Sequence, residues 1–276
     1  MLSSMMQRPL LISSLLEHAA HWHGDTEIVS RTVESGADYN LHRYTYADAL
    51  KRCKRLANAM TRLGVKRGER IGTLAWNGYR HFELYYGVSG MGAVIHTINP
   101  RLFPEQIAYI ANHAEDQYLC FDLTFAPLVE KLAPSLSSVK GFIAMTDRAH
   151  MPAIKVPNLL CYEELLAAES DELAWPVFDE TTPSSLCYTS GTTGNPKGVV
   201  YHHRGAYLNA IGCAMAWNMT HHPIYLWTLP MFHCCGWTFP WTIAALAGTN
   251  ICLRRIAAKP IYDAIVEHKV THFCGA

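Results

Sequence analysis

Tyr188-Thr189-Ser190-Gly191-Thr192-Thr193-Gly194-Asn195-Pro196-Lys197-Gly198 is the most specific stretch of the chain. In eleven residues it places three glycines, four hydroxyl side chains besides Tyr188, and one lysine. Glycine lets the backbone turn and approach a ligand closely, so successive N–H groups can point at one anion. Thr189, Ser190, Thr192 and Thr193 add short hydroxyl donors, and Lys197 adds a mobile positive charge. That is the chemistry of a polyphosphate cradle. It is not a Walker A loop, because G-x-x-x-x-G-K-[ST] needs Gly where Pro196 stands and Ser or Thr where Gly198 stands. A plain Gly/Ser/Thr turn shares the composition but not this order of proline and lysine.

Working outward, strand patterns flank the loop, one running from Ser184 into Tyr188 and one over Gly198–Tyr201. Upstream, Thr45 to Leu63 reads as a helix: Thr45 caps it, Asp48 sits three residues on and Gly64 ends it. Lys51, Lys54, Arg55 and Arg62 form its solvated face. An earlier apolar patch, Met1 to Trp22, reads as a first helix rather than a signal peptide, since Glu17 and three histidines interrupt it. Strands at Arg70–Ala75, Ala93–Thr97, Tyr118–Phe121 and Gly141–Met145 alternate with helices near Arg80–Val88, Pro104–Ala114 and Phe125–Leu132. After the loop come a helix from Gly205 to Trp217, a strand at Tyr225–Leu229 and a helix after Cys235. A strand at Asn250–Leu253, a helix at Ile261–His268 and a strand at Thr271–Phe273 close the series. Strands joined by helical crossovers predict an α/β fold of layered, largely parallel sheets with helices on both faces. The irregular residues 151–179 are expected to link two sub-layers, 1–150 and 180–276.

Composition narrows the function. Half of the 276 residues are apolar and 17% are charged, against about 25% in ordinary domains, which excludes a disordered chain. Lys plus Arg equals Asp plus Glu, 23 each, so the basic excess of a nucleic-acid binder is missing. Nine cysteines without a C-x-x-C pair suit a reducing, cytoplasmic setting. No zinc site is expected from His233-Cys234-Cys235 or from His268, His272 and Cys274, and no base partner argues for Cys234 or Cys235 as nucleophiles. From Gly205 to Leu253 there is no Asp, Glu, Lys or Arg. Prolines and histidines divide this stretch into pieces shorter than the roughly 20 apolar residues that span a bilayer, so no integral membrane segment is expected. It reads as buried structure able to house an apolar substrate.

The string from Tyr188 to Val200 resembles the phosphate-binding motif of the adenylate-forming family, which includes acyl-CoA synthetases, luciferases and peptide-synthetase adenylation domains. Gly92 to Leu102 followed by Pro104 to Ile110 is similar to a second core segment of acyl-CoA synthetases. Leu229-Pro230-Met231-Phe232-His233 looks like the segment beside the carboxylate site. With Cys234 to Trp241 it most resembles bacterial medium-chain fatty-acid and methylmercaptopropionate CoA ligases. The resemblance implies a two-step reaction: a carboxylate attacks the α-phosphorus of ATP to give acyl-AMP and pyrophosphate, then CoA displaces AMP. It implies that Thr189, Ser190, Gly191, Thr192, Thr193, Gly194 and Lys197 hold the β- and γ-phosphates, with Mg²⁺ sharing the charge. His233 would lie beside the reacting carboxylate, and Trp217, Trp237 and Trp241 would wall an apolar acyl site.

The resemblance also covers only the first part of the family's large domain, and the small C-terminal domain is absent. The chain is therefore read as a piece of a longer protein that alone should not complete the ligase reaction. Two other readings stand beside this one: a phosphate-binding module without turnover, and a phosphotransferase. The oligomeric state of a full-length protein is left open.

Overall fold

The computed structural model describes residues 4–34, 41–189 and 195–275. In chain order, helix α1 (Ser13–Trp22) precedes β1 (Glu27–Arg31), β2 (Leu41–Thr45), α2 (Tyr46–Arg62), β3 (Arg70–Leu74), α3 (Tyr79–Gly90) and β4 (Val94–Thr97). Then come α4 (Pro104–His113), β5 (Asp116–Phe121), α5 (Ala126–Leu132), β6 (Gly141–Ala144), β7 (Leu159–Cys161), α6 (Tyr162–Ala167) and β8 (Pro183–Thr189). The remainder is β9 (Lys197–His202), α7 (His203–Ala216), β10 (Ile224–Trp227), α8 (Phe239–Ala245), β11 (Thr249–Cys252), α9 (Ala258–His268) and β12 (His272–Phe273). Local signals act as read: Thr45 and Asp48 form a reciprocal capping box on α2, and Gly64 follows the helix with φ +84°.

Two sheets form, ordered β7-β6-β5-β3-β4-β8-β9 and β12-β10-β11-β1-β2. Pairing is parallel except for β1 with β2 and β8 with β9. The sheets cut across the expected sub-layers. Strands β1 and β2, from the first residues, pair into the sheet of β10 to β12, while β8 and β9 extend the sheet of β3 to β7. Residues 151–179 are more than a linker, because β7 pairs with β6 at the edge of the larger sheet.

Alternation along the strands sets the layers. In β5, Leu119 and Phe121 face α4 and α5 through Ile107, Ile110, Val129 and Leu132, while Tyr118 and Cys120 face the opposite way. In β10, Tyr225 and Trp227 face the inner helices and Leu226 faces Ala264 of α9. The inner core between the sheets holds α1, α2, α3 and α8, and every residue of α3 is buried. A helix buried on all sides must satisfy its polar groups internally. Glu83 does so with Arg52 (2.6 Å) and the Tyr162 hydroxyl (2.7 Å), and Arg52 in turn meets Glu163 at 2.9 Å.

Asn77, just beyond β3, joins the two sheets. Its Nδ2 donates to the carbonyls of Trp227 (2.8 Å) and Leu229 (3.1 Å), and its Oδ1 accepts from Met231 N–H at 2.7 Å. The Tyr85 hydroxyl of α3 donates to the Met231 carbonyl. Met231 is thus held at both backbone groups by residues of the other layer. Asn77→Ala leaves these groups unpaired in a buried site, at a cost of about 1–3 kcal/mol or more. Urea unfolding should show this loss as a lowered midpoint with unchanged slope; an unaltered midpoint would refute the clamp.

Burial keeps two core histidines neutral. His81 is pushed down to about 4 by burial, and His203 to about 4 by burial and then by the neighbouring His202. Their folded values lie below the unfolded 6.5, so the unfolded chain binds more protons between those limits and stability falls as pH drops from 6.5 towards 4. The slope should approach about 1.4 kcal/mol per pH unit for each histidine. Urea midpoints at pH 7 and pH 4.5 measure it, and His81→Phe should flatten the dependence if it folds. Equal wild-type midpoints would contradict the assignment.

Candidate active site

The carboxyl ends of β4 and β8 meet the segment that follows β10 at one cavity, and the carboxyl ends of strands are where parallel α/β sheets bind ligands. Strand β8 lies between β4 and β9, with Thr97 opposite Cys187 and Thr189 opposite Lys197. Residues 190–196 connect β8 to β9. Of the phosphate string, Ser190, Gly191, Thr192, Thr193 and Gly194 lie outside the described residues. Thr189 and Pro196, which bracket them, line a cavity of about 280 Å³ together with Thr97, Asn99, His233 and Cys234. Lys197 is exposed on β9 and is not part of this lining.

His233 reaches the cavity because the segment before it is fixed. Asn77 and Tyr85 hold Met231, Phe232 is buried beside Trp76, and His233 N–H donates to the Pro230 carbonyl at 3.1 Å. The next five residues, Cys234 to Thr238, all adopt left-handed φ between +46° and +65°. Four of them carry side chains, each costing roughly 1–2 kcal/mol in that region. Such a turn persists where its surroundings over-determine it. Here Cys235 Sγ sits 3.8 Å from Thr97 Oγ1, and Thr238 Oγ1 lies 3.2 Å from Asn209 Nδ2 and 3.4 Å from Cys213 Sγ. The turn drives Cys235 into the core and leaves Cys234 and Trp237 exposed.

Cys234 also lines a second cavity of about 580 Å³, with Tyr201, Ala206, Asn209, Cys213 and Trp237. Gly205, Ala206, Asn209 and Cys213 share one face of α7, and their small side chains leave the space open. Among the described residues no Lys, Arg, Asp or Glu lines it. Trp237 lines this cavity, and the other two tryptophans grouped with it in the sequence reading do not. Trp241 is fully buried against Tyr85, and Trp217 packs edge-on against Phe239. A seven-residue helix has too few turns for periodicity to say which face Trp241 takes.

A third crevice, of about 350 Å³, opens beyond β3 and β11 and is lined by Trp76, Arg101, Arg254 and Arg255. Arg101 lies 5.9 Å above the Trp76 ring. Burial pushes the Asp122 carboxyl up, but the Arg254 guanidinium bound to it outweighs this and holds it below its usual range. Arg254 is therefore committed to Asp122, whereas Arg101 and Arg255 present exposed guanidiniums. Among the described residues no three His, Cys, Asp or Glu side chains are grouped to hold a metal ion, and no helix is long and apolar enough to cross a membrane. Sequence reasoning missed Asn77, Tyr85, Cys187 and the shared wall at Cys234. Asn77-Gly78 carries only a turn signal, and the Cys234-Cys235 doublet was the one visible hint of the wall.

Comparison with known proteins bears on the family and the fold. The chain is 46% identical over 255 residues to 3-methylmercaptopropionyl-CoA ligase of Ruegeria lacuscaerulensis, covering 92% of this chain and 46% of that protein. It is 44% identical to medium-chain-fatty-acid–CoA ligase of Ectopseudomonas oleovorans, with the same coverage of both chains. The chain thus spans about half the length of the curated relatives it matches. Among solved structures, Mycobacterium tuberculosis fatty acyl CoA synthetase superimposes with a TM-score of 0.79 at 22% identity, over 96% of this chain and 49% of the other, a likeness of fold. The AMP-binding enzyme profile matches residues 16–276, and the chain belongs to that family.

Proposed function

We propose that this chain provides the phosphate and acyl sites of an acyl-CoA ligase. The ligase activates an apolar short- to medium-chain carboxylic acid with ATP, through acyl-AMP, and transfers it to CoA. One observation carries the reading: the cavity flanked by Thr189 and Pro196 also holds His233, and it adjoins the uncharged 580 Å³ cavity through Cys234. A carboxylate at that junction would have its chain on the apolar side and its oxygens facing the phosphate string.

The division of labour follows from charge. Thr189 to Gly194 and Lys197 hold the β- and γ-phosphates, and His233 offsets the negative charge that gathers where carboxylate and α-phosphate meet. Positioning and charge stabilisation dominate such transfers, so fixed donors matter more than covalent chemistry. Mg²⁺, bound with the nucleotide, would supply further neutralisation of the phosphate charge. Arg101 and Arg255 with Trp76 offer cations and a flat ring suited to the phosphorylated adenosine of CoA. The names of the relatives span fatty and thioether acids, and Trp237 with Cys213 and Cys234 makes a wall compatible with either. We place the protein in the cytoplasm.

Equilibrium dialysis on residues 1–276 tests the phosphate site. Lys197→Ala removes one charge-assisted contact of about 1.5–3 kcal/mol, so ATP affinity should fall roughly ten- to a hundredfold. Binding of decanoate should be unaffected. Equal ATP affinity would move the phosphates elsewhere.

The acyl site is tested by AMP formation in the whole protein with ATP, Mg²⁺, CoA and straight-chain acids of increasing length. Apolar acids should outpace amino acids and hydroxylated aromatic acids, because no fixed charge in the cavity can pair with a polar tail. Preference for either polar class would overturn the substrate assignment.

A further inference from the structure

We propose that Cys187 and Cys235 form a paired thiol modification site, reached by hydroperoxides through the 280 Å³ cavity, at which oxidation closes a disulfide. The two thiols come from elements far apart in sequence. Cys187 sits near the end of β8, two residues before Thr189, and lines the cavity. Cys235 points inward from the left-handed turn, fully buried, and its thiol hydrogen-bonds to Cys187. The Tyr201 hydroxyl lies 3.9 Å from Cys187 Sγ, and Thr97 Oγ1 lies 3.8 Å from Cys235 Sγ. Side chains already in contact are close enough for an S–S bond with little backbone movement.

The surroundings assign the two thiols different parts. The Cys235 S–H bonded to Cys187 draws the Cys187 thiol down to about 7 against burial, with Tyr201 and His96 assisting. Burial pushes Cys235 well above its ordinary value, and burial also raises Cys234. The thiolate is the reactive form, so Cys187 and not its more exposed neighbour Cys234 is the nucleophile. Cys53, Cys120 and Cys252 are buried, raised by burial, and face no cavity described above.

The chemistry balances with a hydroperoxide as oxidant. The Cys187 thiolate attacks the peroxide O–O bond, forming Cys187–SOH and releasing hydroxide from hydrogen peroxide, or alkoxide from an organic hydroperoxide. The Cys235 sulfur then displaces hydroxide from the sulfenic sulfur, and its proton leaves with that hydroxide as water. Two thiols lose two electrons in all, and the peroxide gains them. The new bond would tie the strand that enters the phosphate string to the turn that follows His233. Its effect on ATP rests on the proposed function; the bond itself does not.

The test treats residues 1–276 with a few equivalents of hydrogen peroxide, blocks free thiols under denaturing conditions and maps the peptides by mass spectrometry. A Cys187–Cys235 cross-link, two hydrogens lighter and reversed by dithiothreitol, is the expected result. Cys187 should be consumed about tenfold faster than Cys234. In Cys235→Ser, dimedone should trap Cys187 as its sulfenic adduct; if that variant does not fold, the wild-type map still decides. Oxidation confined to Cys234 or Cys213, or a Cys187–Cys234 cross-link, would overturn the proposal. Oxidised protein with the expected cross-link but unchanged ATP affinity would preserve the modification site while removing the phosphate assignment from this cavity.

Discussion

The backbone of Met231 is the point on which the site depends. Its N–H and carbonyl are both taken by side chains from the opposite layer, Asn77 beyond β3 and Tyr85 within α3. These bonds lie in a region from which water is excluded, where an unmade bond costs more than a made one contributes. They therefore specify a unique position for the segment that ends in His233. Phe232 fills the space beneath, and the left-handed turn begins immediately after. Without this clamp the strained backbone of Cys234 to Thr238 would have no fixed starting point.

Charge is distributed to match. Four ionic groups in and beside the core, Arg52, Glu83, Glu163 and Arg80, satisfy one another around α2, α3 and α6. Among the described residues the walls of the larger cavity carry none. A low-dielectric wall strengthens any charge interaction at its mouth, and His233 stands beside that mouth, next to Cys234, which lines both cavities.

Much of this was legible in the sequence, for reasons that can be named. The capping box at Thr45, the apolar run at Tyr118–Phe121 and the string at Tyr188 are local patterns, and each produced the element or family expected from it. Sheet membership was not legible. Ile28 pairs with Asn250, and an apolar strand flanked by helices reads alike whichever sheet receives it. The turn after His233 was also hidden, because only Gly236 among its five residues advertises positive φ. His233 stood out through resemblance to a family motif; Asn77, which holds its segment, lies 154 residues from Met231 and looks like an ordinary turn residue.

The crossing of the sheets bears on how the chain is made. Tyr46 bonds to Asn250, 204 residues downstream, and β1 acquires its parallel neighbour β11 from the same distant region. At ribosomal speeds that interval takes roughly 10–40 s. Throughout it the nascent β1–β2 pair has one ladder unfilled and one apolar face bare, a state in which isolated hairpins are at best marginal. The larger sheet can assemble meanwhile, since β3 to β9 emerge as one block. Synthesis thus brings out the strands of the larger sheet before β11, and β1 lacks its parallel neighbour until Thr249–Cys252 emerge.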